Sequence, residues 1–222
     1  MQNEILRQLK NAGVVPVVKI DSVDKAIPLA KALIAGGLST IEITFRSDAA
    51  FGAIKALTAA KLKTQEGKPL LIGAGTVINA EIAKKAIDAG SQFLVSPGTN
   101  AKTIAYCRAE STPIIPGVSS ASDIEGALEQ GLNLLKFFPS EALGGLKMLQ
   151  ALRGPFPQVS FMPTGGINRT NLKSYAAEKS VFAIGGSWMV APEDIASENW
   201  EKITKLSSEA LALWKEGRKA LL

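Results

Sequence analysis

The sequence contains no histidine among its 222 residues, and this absence restricts the chemistry that the chain can perform. Histidine is the commonest metal ligand and the commonest general base near neutral pH. Its absence disfavours metal-dependent aldolases, zinc hydrolases and Ser-His-Asp enzymes together. General acid and base catalysis must therefore be performed by Glu, Asp, Lys, Tyr or bound water.

Disulfides, membrane spans and basic clusters are also lacking. Cys107 is the only cysteine, so no disulfide can form within the chain. No apolar run approaches the roughly 18 residues needed to cross a bilayer, and the first ten residues form an amphipathic helix pattern without a signal-peptide core. The net charge of +5 is spread along the chain without a basic stripe. We therefore expect a cytoplasmic protein with neither membrane nor nucleic-acid partners.

What the sequence does contain is a repeated alternation of short apolar runs with helical patterns. Eight of each predict a parallel sheet that closes into a (β/α)8 TIM barrel, a single domain over residues 1–222 with an extra N-terminal helix over residues 2–12. An open, doubly wound sheet is the alternative. Asp21 and Ser22 are predicted to cap the first helix after a strand. The predicted strands are Val14–Ile20, Thr40–Phe45, Leu70–Thr76, Phe93–Pro97, Pro113–Val118, Leu134–Pro139, Phe161–Gly166 and Val181–Gly186.

The sixth predicted strand carries a lysine in an apolar run, Leu134-Leu135-Lys136-Phe137-Phe138-Pro139. Strand alternation places Leu134, Lys136 and Phe138 on one face, so Lys136 would point into protein. Burial lowers the pKa of a lysine, and the neutral amine can attack a carbonyl to form a Schiff base. The alternative is that Lys136 extends from the strand end to solvent.

The second predicted strand places polar side chains on one face. Glu42 and Thr44, with Arg46 just beyond the strand, are in phase, whereas Ile41 and Ile43 take the opposite face. This pattern fits either an edge strand with one wet face or a barrel strand with polar groups inside. In the barrel, Glu42 becomes a candidate acid or base and Arg46 a candidate ligand for a substrate carboxylate.

The seventh and eighth predicted strands end in glycine pairs beside hydroxyl residues, in Thr164-Gly165-Gly166 and Gly185-Gly186-Ser187. Loops after these strands often bind phosphate in such barrels, because glycine exposes backbone N–H groups. Lys19, at the end of the first strand, could add positive charge there, and it is also the rival of Lys136 as the reactive amine.

Three further strand ends admit either a ligand or a turn. In Gly73-Ala74-Gly75-Thr76 the missing side chains would let a ligand approach the backbone, although a sharp turn explains the glycines equally well. Ser96-Pro97-Gly98 and Pro116-Gly117 are better explained as turns.

With these residues identified, the chain resembles the 2-keto-3-deoxy-6-phosphogluconate aldolases, a family that includes enzymes acting on 4-hydroxy-2-oxoglutarate. The resemblance covers nearly the whole chain. It is carried most specifically by Ile41-Glu42-Ile43-Thr44-Phe45-Arg46, Gly73-Ala74-Gly75-Thr76, Leu135-Lys136-Phe137-Phe138-Pro139 and Pro163-Thr164-Gly165-Gly166-Ile167.

The resemblance implies a class I aldolase that uses no metal or organic cofactor, binds pyruvate and a phosphorylated 2-keto acid, and forms a homotrimer. It implies that Lys136 forms the Schiff base and that Glu42 moves protons, partly through water. The implied substrate contacts are Arg46 and Thr76 for the carboxylate, Pro97 and Phe138 as pocket walls, and Thr164, Gly165, Gly166, Gly186, Ser187 and Lys19 for the phosphate end.

Three other functions remain open from the sequence. An aldolase acting mainly on 4-hydroxy-2-oxoglutarate would keep Lys136, Glu42 and Arg46 but gain little from the phosphate loops. A phosphosugar isomerase or epimerase can share the barrel, although its usual histidine or metal ligands are missing. A non-catalytic phosphometabolite-binding barrel is the third alternative.

Overall fold

The computed structural model describes residues 2–221, and its strands form one curled parallel sheet. Nine short strands lie among these residues, and helices separate all of them except the two that flank Pro116. The strands are β1 Val14–Val18, β2 Thr40–Thr44, β3 Leu71–Gly75, β4 Phe93–Val95, β5 Ile114–Ile115, β6 Gly117–Val118, β7 Leu134–Phe137, β8 Ser160–Pro163 and β9 Ile184–Gly186.

Helices cover the outside of the barrel and its amino end. Those of the described chain are α1 Gln2–Ala12, α2 Ala26–Ala35, α3 Ala50–Ala60, α4 Ala80–Asp88, α5 Ala101–Ala109, α6 Ala121–Glu129, α7 Gly145–Arg153, α8 Leu172–Ala176, α9 Pro192–Ala196 and α10 Trp200–Arg218. Among residues 2–221, none of them is long and apolar enough to cross a membrane.

The sheet closes on itself. One ladder runs in the order β5-β4-β3-β2-β1-β9 and a second in the order β6-β7-β8. β5 and β6 flank Pro116, which has no N–H to donate to a ladder, and together they form one barrel strand. Parallel bridges from Phe161 to Val181 and from Thr164 to Gly185 join β8 to β9. The predicted eight-stranded (β/α)8 barrel, with its N-terminal helix, is confirmed.

Two apolar cores show which way the strand residues face. Leu134 belongs to the core inside the barrel, together with Phe93 and Met162, whereas Leu135 and Phe137 belong to the core between sheet and helices. The predicted alternation along β7 is therefore confirmed. The amino end of the barrel interior is packed against α1, whose Leu9 joins the inner core and whose Ile5 and Leu6 lie against it. The carboxyl ends of the strands are where the polar residues gather.

The connection after β1 differs from the prediction. Val23–Lys25 form a 3-10 turn, and α2 begins only at Ala26. Ser22 makes no capping bond with its side chain, because its hydroxyl bonds to Asp24 instead, and Asp21 pairs with Lys19. The predicted cap by Asp21 and Ser22 is therefore wrong.

The short helix α9 was not predicted. It begins at Pro192 and carries Glu193 and Asp194 in its first turn. Proline at the first helical position followed by acidic residues is a helix-start signal, and this signal could have located α9.

Candidate active site

Lys136 lies inside the barrel on the central strand of the second ladder. β7 pairs with β6 at Gly117 and with β8 at Met162, so Lys136 is held from both sides. The residue is 6% exposed, and its Nζ lies 4.6 Å from the centroid of the Phe138 ring. Burial lowers the pKa of Lys136, while the Glu42 charge opposes that change. The alternative in which Lys136 extends into solvent does not fit this placement.

Glu42 projects from β2 into the same interior. The residue is fully buried, and neither carboxyl oxygen has a hydrogen-bond partner among residues 2–221. Burial raises the pKa of Glu42, opposed by the charges of Lys136 and Arg46. Its neighbours Ile41 and Ile43 pack in the outer core, so Glu42 lies on the inner face, as the barrel hypothesis predicts.

Gly75 explains how the buried carboxyl fits. A Cβ built on Gly75 would lie 1.9 Å from Oε1 of Glu42, well inside van der Waals contact. β2 and β3 pair Thr44 with Gly75, so this close approach is set by the strand register. Sequence reasoning explained the glycine by ligand access or a turn and missed its packing against Glu42.

Lys136 and Glu42 face each other across the barrel. β2 and β7 are four strands apart in the closed order of eight, which places them on opposite walls. Each charge alters the pKa of the other group, yet no hydrogen bond or ion pair joins them among the described residues. A buried amine and a buried carboxyl thus project into the same barrel interior without a direct bond between them.

Arg46 lies exposed two residues beyond β2 and is anchored through Thr44. Its Nε donates to Thr44 Oγ1 at 3.1 Å, and Thr44 Oγ1 donates to the Val18 carbonyl at 2.8 Å. Its guanidinium makes no salt bridge with a carboxylate of the described chain. The terminal nitrogens can therefore take up a planar substrate carboxylate.

Thr76 adopts an unusual backbone conformation at the end of β3. Its φ is +59°, in the left-handed region that β-branched residues rarely occupy. Such a conformation costs about 1–3 kcal/mol and tends to occur at functional sites. Nothing in the sequence signalled this conformation, although the position itself was predicted as a contact.

The two predicted pocket walls lie at neighbouring strand ends. Pro97 follows β4 and Phe138 follows β7, and both are half-buried. Phe138 lies against the amine of Lys136, as described above. Pro97 lies close to Gly117, where an added Cβ would meet the Pro97 carbonyl oxygen at 2.1 Å.

The predicted phosphate end combines two turns. Gly165 and Gly166 have φ values of +93° and +83°, which other residues rarely adopt. Thr164 is buried, and Gly185 leaves space for its Oγ1. Gly186 is buried beneath the Trp188 ring, and Ser187 beside it is exposed.

Lys19 lies at the end of β1, which pairs with β9 at Gly186 through Pro16. Its Nζ forms an ion pair with Asp21 at 2.8 Å, and its side chain is 39% exposed. An exposed, paired ammonium is less suited to nucleophilic attack than the buried amine of Lys136. The ion pair also offsets part of the positive charge expected there.

The family model "KDPG and KHG aldolase" matches residues 5–206. A 2-dehydro-3-deoxy-phosphogluconate aldolase from Treponema pallidum is 46% identical over 209 residues, covering 94% of this chain and 97% of the relative.

Solved structures share the fold over nearly the full length. The chain is similar to a KDPG aldolase from Legionella pneumophila with pyruvate captured at low pH as a covalent carbinolamine intermediate. The TM-score is 0.85 and the identity 40%, and the match covers 91% of this chain and 95% of the Legionella chain. It is also similar to the Zymomonas mobilis ZM4 enzyme with 3-phosphoglycerate, with a TM-score of 0.84, 39% identity and coverage of 96% and 97%. With a matching family model over most of its length and a relative of this identity, the chain belongs to the KDPG and KHG aldolase family.

Proposed function

We propose that this protein is a class I aldolase that cleaves 2-dehydro-3-deoxy-6-phosphogluconate to pyruvate and glyceraldehyde 3-phosphate through a Schiff base on Lys136. The observation that carries the proposal is the buried amine of Lys136 facing the buried carboxyl of Glu42, which has no hydrogen-bond partner in the described chain. The relatives named above act on this substrate or carry a covalent pyruvate adduct.

The chemistry begins with attack of the neutral Lys136 amine on the C2 ketone, giving a carbinolamine. Its hydroxyl leaves as water with a proton from Glu42, whose protonated form is favoured by burial. The resulting iminium is an electron sink, and Glu42 is now a carboxylate.

Carbon–carbon cleavage uses the iminium as the electron acceptor and the Glu42 carboxylate as the base. The Glu42 carboxylate takes the proton of the C4 hydroxyl, the C3–C4 bond breaks, and its electron pair moves into the iminium to give an enamine. Glyceraldehyde 3-phosphate leaves. The enamine is then protonated at C3 by the Glu42 proton, in part through water, and hydrolysis of the new iminium releases pyruvate and restores the Lys136 amine.

Binding groups at the two ends of the cavity position the scissile bond. Arg46 and Thr76 hold the carboxylate next to Lys136, between the walls Pro97 and Phe138. The turns at Thr164, Gly165, Gly166, Gly186 and Ser187 hold the phosphate, so that remote binding energy aligns C3 and C4 with Glu42.

Borohydride trapping tests the nucleophile. The protein is incubated with pyruvate, reduced with borohydride, digested and mapped by mass spectrometry. We expect the adduct on Lys136, no adduct in Lys136→Met, and an undiminished adduct in the control variant Lys19→Met. Labelling of Lys19, or no labelling of the wild-type protein, would refute the assignment.

The ion pair between Lys19 and Asp21 favours a second candidate function, cleavage of 4-hydroxy-2-oxoglutarate, because it reduces the charge available to a phosphate. Lys136, Glu42 and Arg46 would act in the same way on this substrate. Pyruvate release with each substrate separates the candidates: kcat/KM is higher for the phosphorylated sugar acid if the first proposal holds.

We also propose a cytoplasmic homotrimer. Three exposed apolar side chains, Val23, Phe51 and Ile78, follow the adjacent strands β1, β2 and β3 and therefore lie on the carboxyl side of the barrel. This apolar patch supports an interface between copies. Light scattering tests it: the wild-type protein should have three times the mass of the chain, and Phe51→Glu should shift it towards the monomer.

A further inference from the structure

A hydrogen-bonded cluster of Ser140, Glu141 and Tyr175 lies directly behind the predicted phosphate end. The Tyr175 hydroxyl donates to Oε1 of Glu141, and the oxygens of Ser140 and Tyr175 are 2.8 Å apart. A tyrosine hydroxyl has one hydrogen, so Ser140 is the donor in the second bond. Ser140 and Tyr175 are both buried, whereas Glu141 reaches solvent.

Two backbone bonds connect this cluster to the turn after β8. The Ser140 N–H donates to the Thr164 carbonyl at 2.8 Å, and the Glu141 N–H donates to the Gly165 carbonyl at 3.0 Å. A Cβ on Gly166 would lie 2.5 Å from Cβ of Glu141, so the turn packs directly on this side chain. The segment that follows β7 therefore holds the turn 164–166 in place.

Tyr175 is suited to act as a permanent donor in the cluster. Burial and the hydrogen bond to Glu141 both raise the pKa of Tyr175, so its hydroxyl stays protonated at physiological pH. Tyr175 comes from α8, which is separate from the segment that follows β7 and from the turn 164–166. It therefore fixes both of these segments relative to the outer layer of the barrel.

We propose that Ser140, Glu141 and Tyr175 are positioning residues that set the turn 164–166 for the phosphate of the substrate, without acting on the keto-acid end. This inference rests on the proposed function. The two ends can be separated experimentally, because pyruvate occupies only the Lys136 end whereas the full substrate needs both.

The test compares Tyr175→Phe and Glu141→Ala with the wild-type protein. We expect KM for 2-dehydro-3-deoxy-6-phosphogluconate to rise roughly tenfold, because a small displacement of binding groups is costly. We expect the pyruvate concentration for half-maximal borohydride trapping to stay within about twofold, since pyruvate carries no phosphate.

Matched controls identify the cause. Glu141→Gln keeps an acceptor for Tyr175 and removes a negative charge near the phosphate, so its KM should equal or fall below that of the wild type. Tyr106→Phe removes a hydroxyl from α5 and should leave KM unchanged. If Tyr175→Phe fails to fold, as judged by circular dichroism, Ser140→Ala takes its place.

Two results overturn the inference while the proposed function stands: unchanged KM in the folded variants, or a parallel rise in KM and in the half-saturating pyruvate concentration, which would indicate general damage to the pocket. A wild-type protein that pyruvate and borohydride do not label would overturn the proposed function, and this inference with it.

Discussion

Replacing Gly75 with alanine should disable the site by moving Glu42, although it alters no group that takes part in the chemistry. The added Cβ would lie 1.9 Å from Oε1 of Glu42, whereas a carbon and an oxygen in contact are about 3.3 Å apart. The carboxyl must therefore shift by about 1.4 Å. The φ of Gly75 is not in the left-handed region, so the backbone itself accepts alanine.

The displacement sets the expected magnitude. A misplacement of about 1 Å can cost about 100-fold in rate, or about 2.7 kcal/mol of transition-state stabilisation. Overpacking the interior should also lower the free energy of unfolding by about 1–3 kcal/mol. Lys136 is untouched, so prolonged incubation with pyruvate and borohydride should still label it, although more slowly, because Glu42 assists the loss of water.

The assay measures pyruvate release by Gly75→Ala and by the control variant Gly126→Ala. Gly126 lies in α6, and a Cβ there meets no atom within 4 Å, so the same methyl should leave kcat unchanged and stabilise the helix by about 0.5–1 kcal/mol. A loss of less than about threefold in a folded Gly75→Ala protein would refute the claim that the position of Glu42 limits the rate.

Three further predictions concern single side chains. Glu42→Gln should abolish cleavage yet stabilise the fold at pH 7. Because burial raises the pKa of Glu42, the folded state binds more protons than the unfolded state, so the free energy of unfolding of the wild-type protein falls as pH rises. In urea unfolding, the stability advantage of the variant should therefore vanish below about pH 4, where Glu42 is protonated in both states. Equal stability differences at both pH values would contradict this reasoning. Arg46→Lys should raise KM by about 10-fold with a smaller effect on kcat, because lysine lacks the planar guanidinium that binds a carboxylate through two nitrogens. Steady-state kinetics of the variant and the wild-type protein measures both constants. Asn100→Ala should lower the free energy of unfolding by about 1 kcal/mol without altering kcat, because the Asn100 side chain accepts hydrogen bonds from Lys102 N and Thr103 N at the start of α5. Thermal unfolding measures the stability, and a parallel activity assay measures kcat.

The sequence predicted the barrel and the inner placement of Lys136 and Glu42 because both follow from local patterns. Strand alternation fixes which side chains share a face, and eight repeats of strand and helix fix closure. By contrast, the left-handed backbone of Thr76 and the contact of Gly75 with Glu42 depend on neighbouring strands. A short stretch of sequence does not include the residues on the neighbouring strands, so it does not reveal these two features.

The cluster behind the turn 164–166 illustrates the same limit over a longer separation. Glu141 follows β7 and Tyr175 lies in α8, and only the packing of α8 on the barrel joins their side chains. A buried tyrosine needs a hydrogen-bond partner for its hydroxyl, but the sequence offers many oxygen atoms and does not select one.

Burial of Lys136 and Glu42 bears on the charge state in which the site begins. A neutral amine with a protonated carboxyl has the same net charge as an ion pair, and the two states differ by one proton transfer. Burial penalises both charges, and the mutual attraction of the two groups only opposes that penalty. Burial therefore shifts both groups towards the neutral pair. The neutral pair is also the productive state, because Schiff-base formation requires an unprotonated nucleophile and an acid to release water, and it leaves Glu42 as the base that carbon–carbon cleavage then needs.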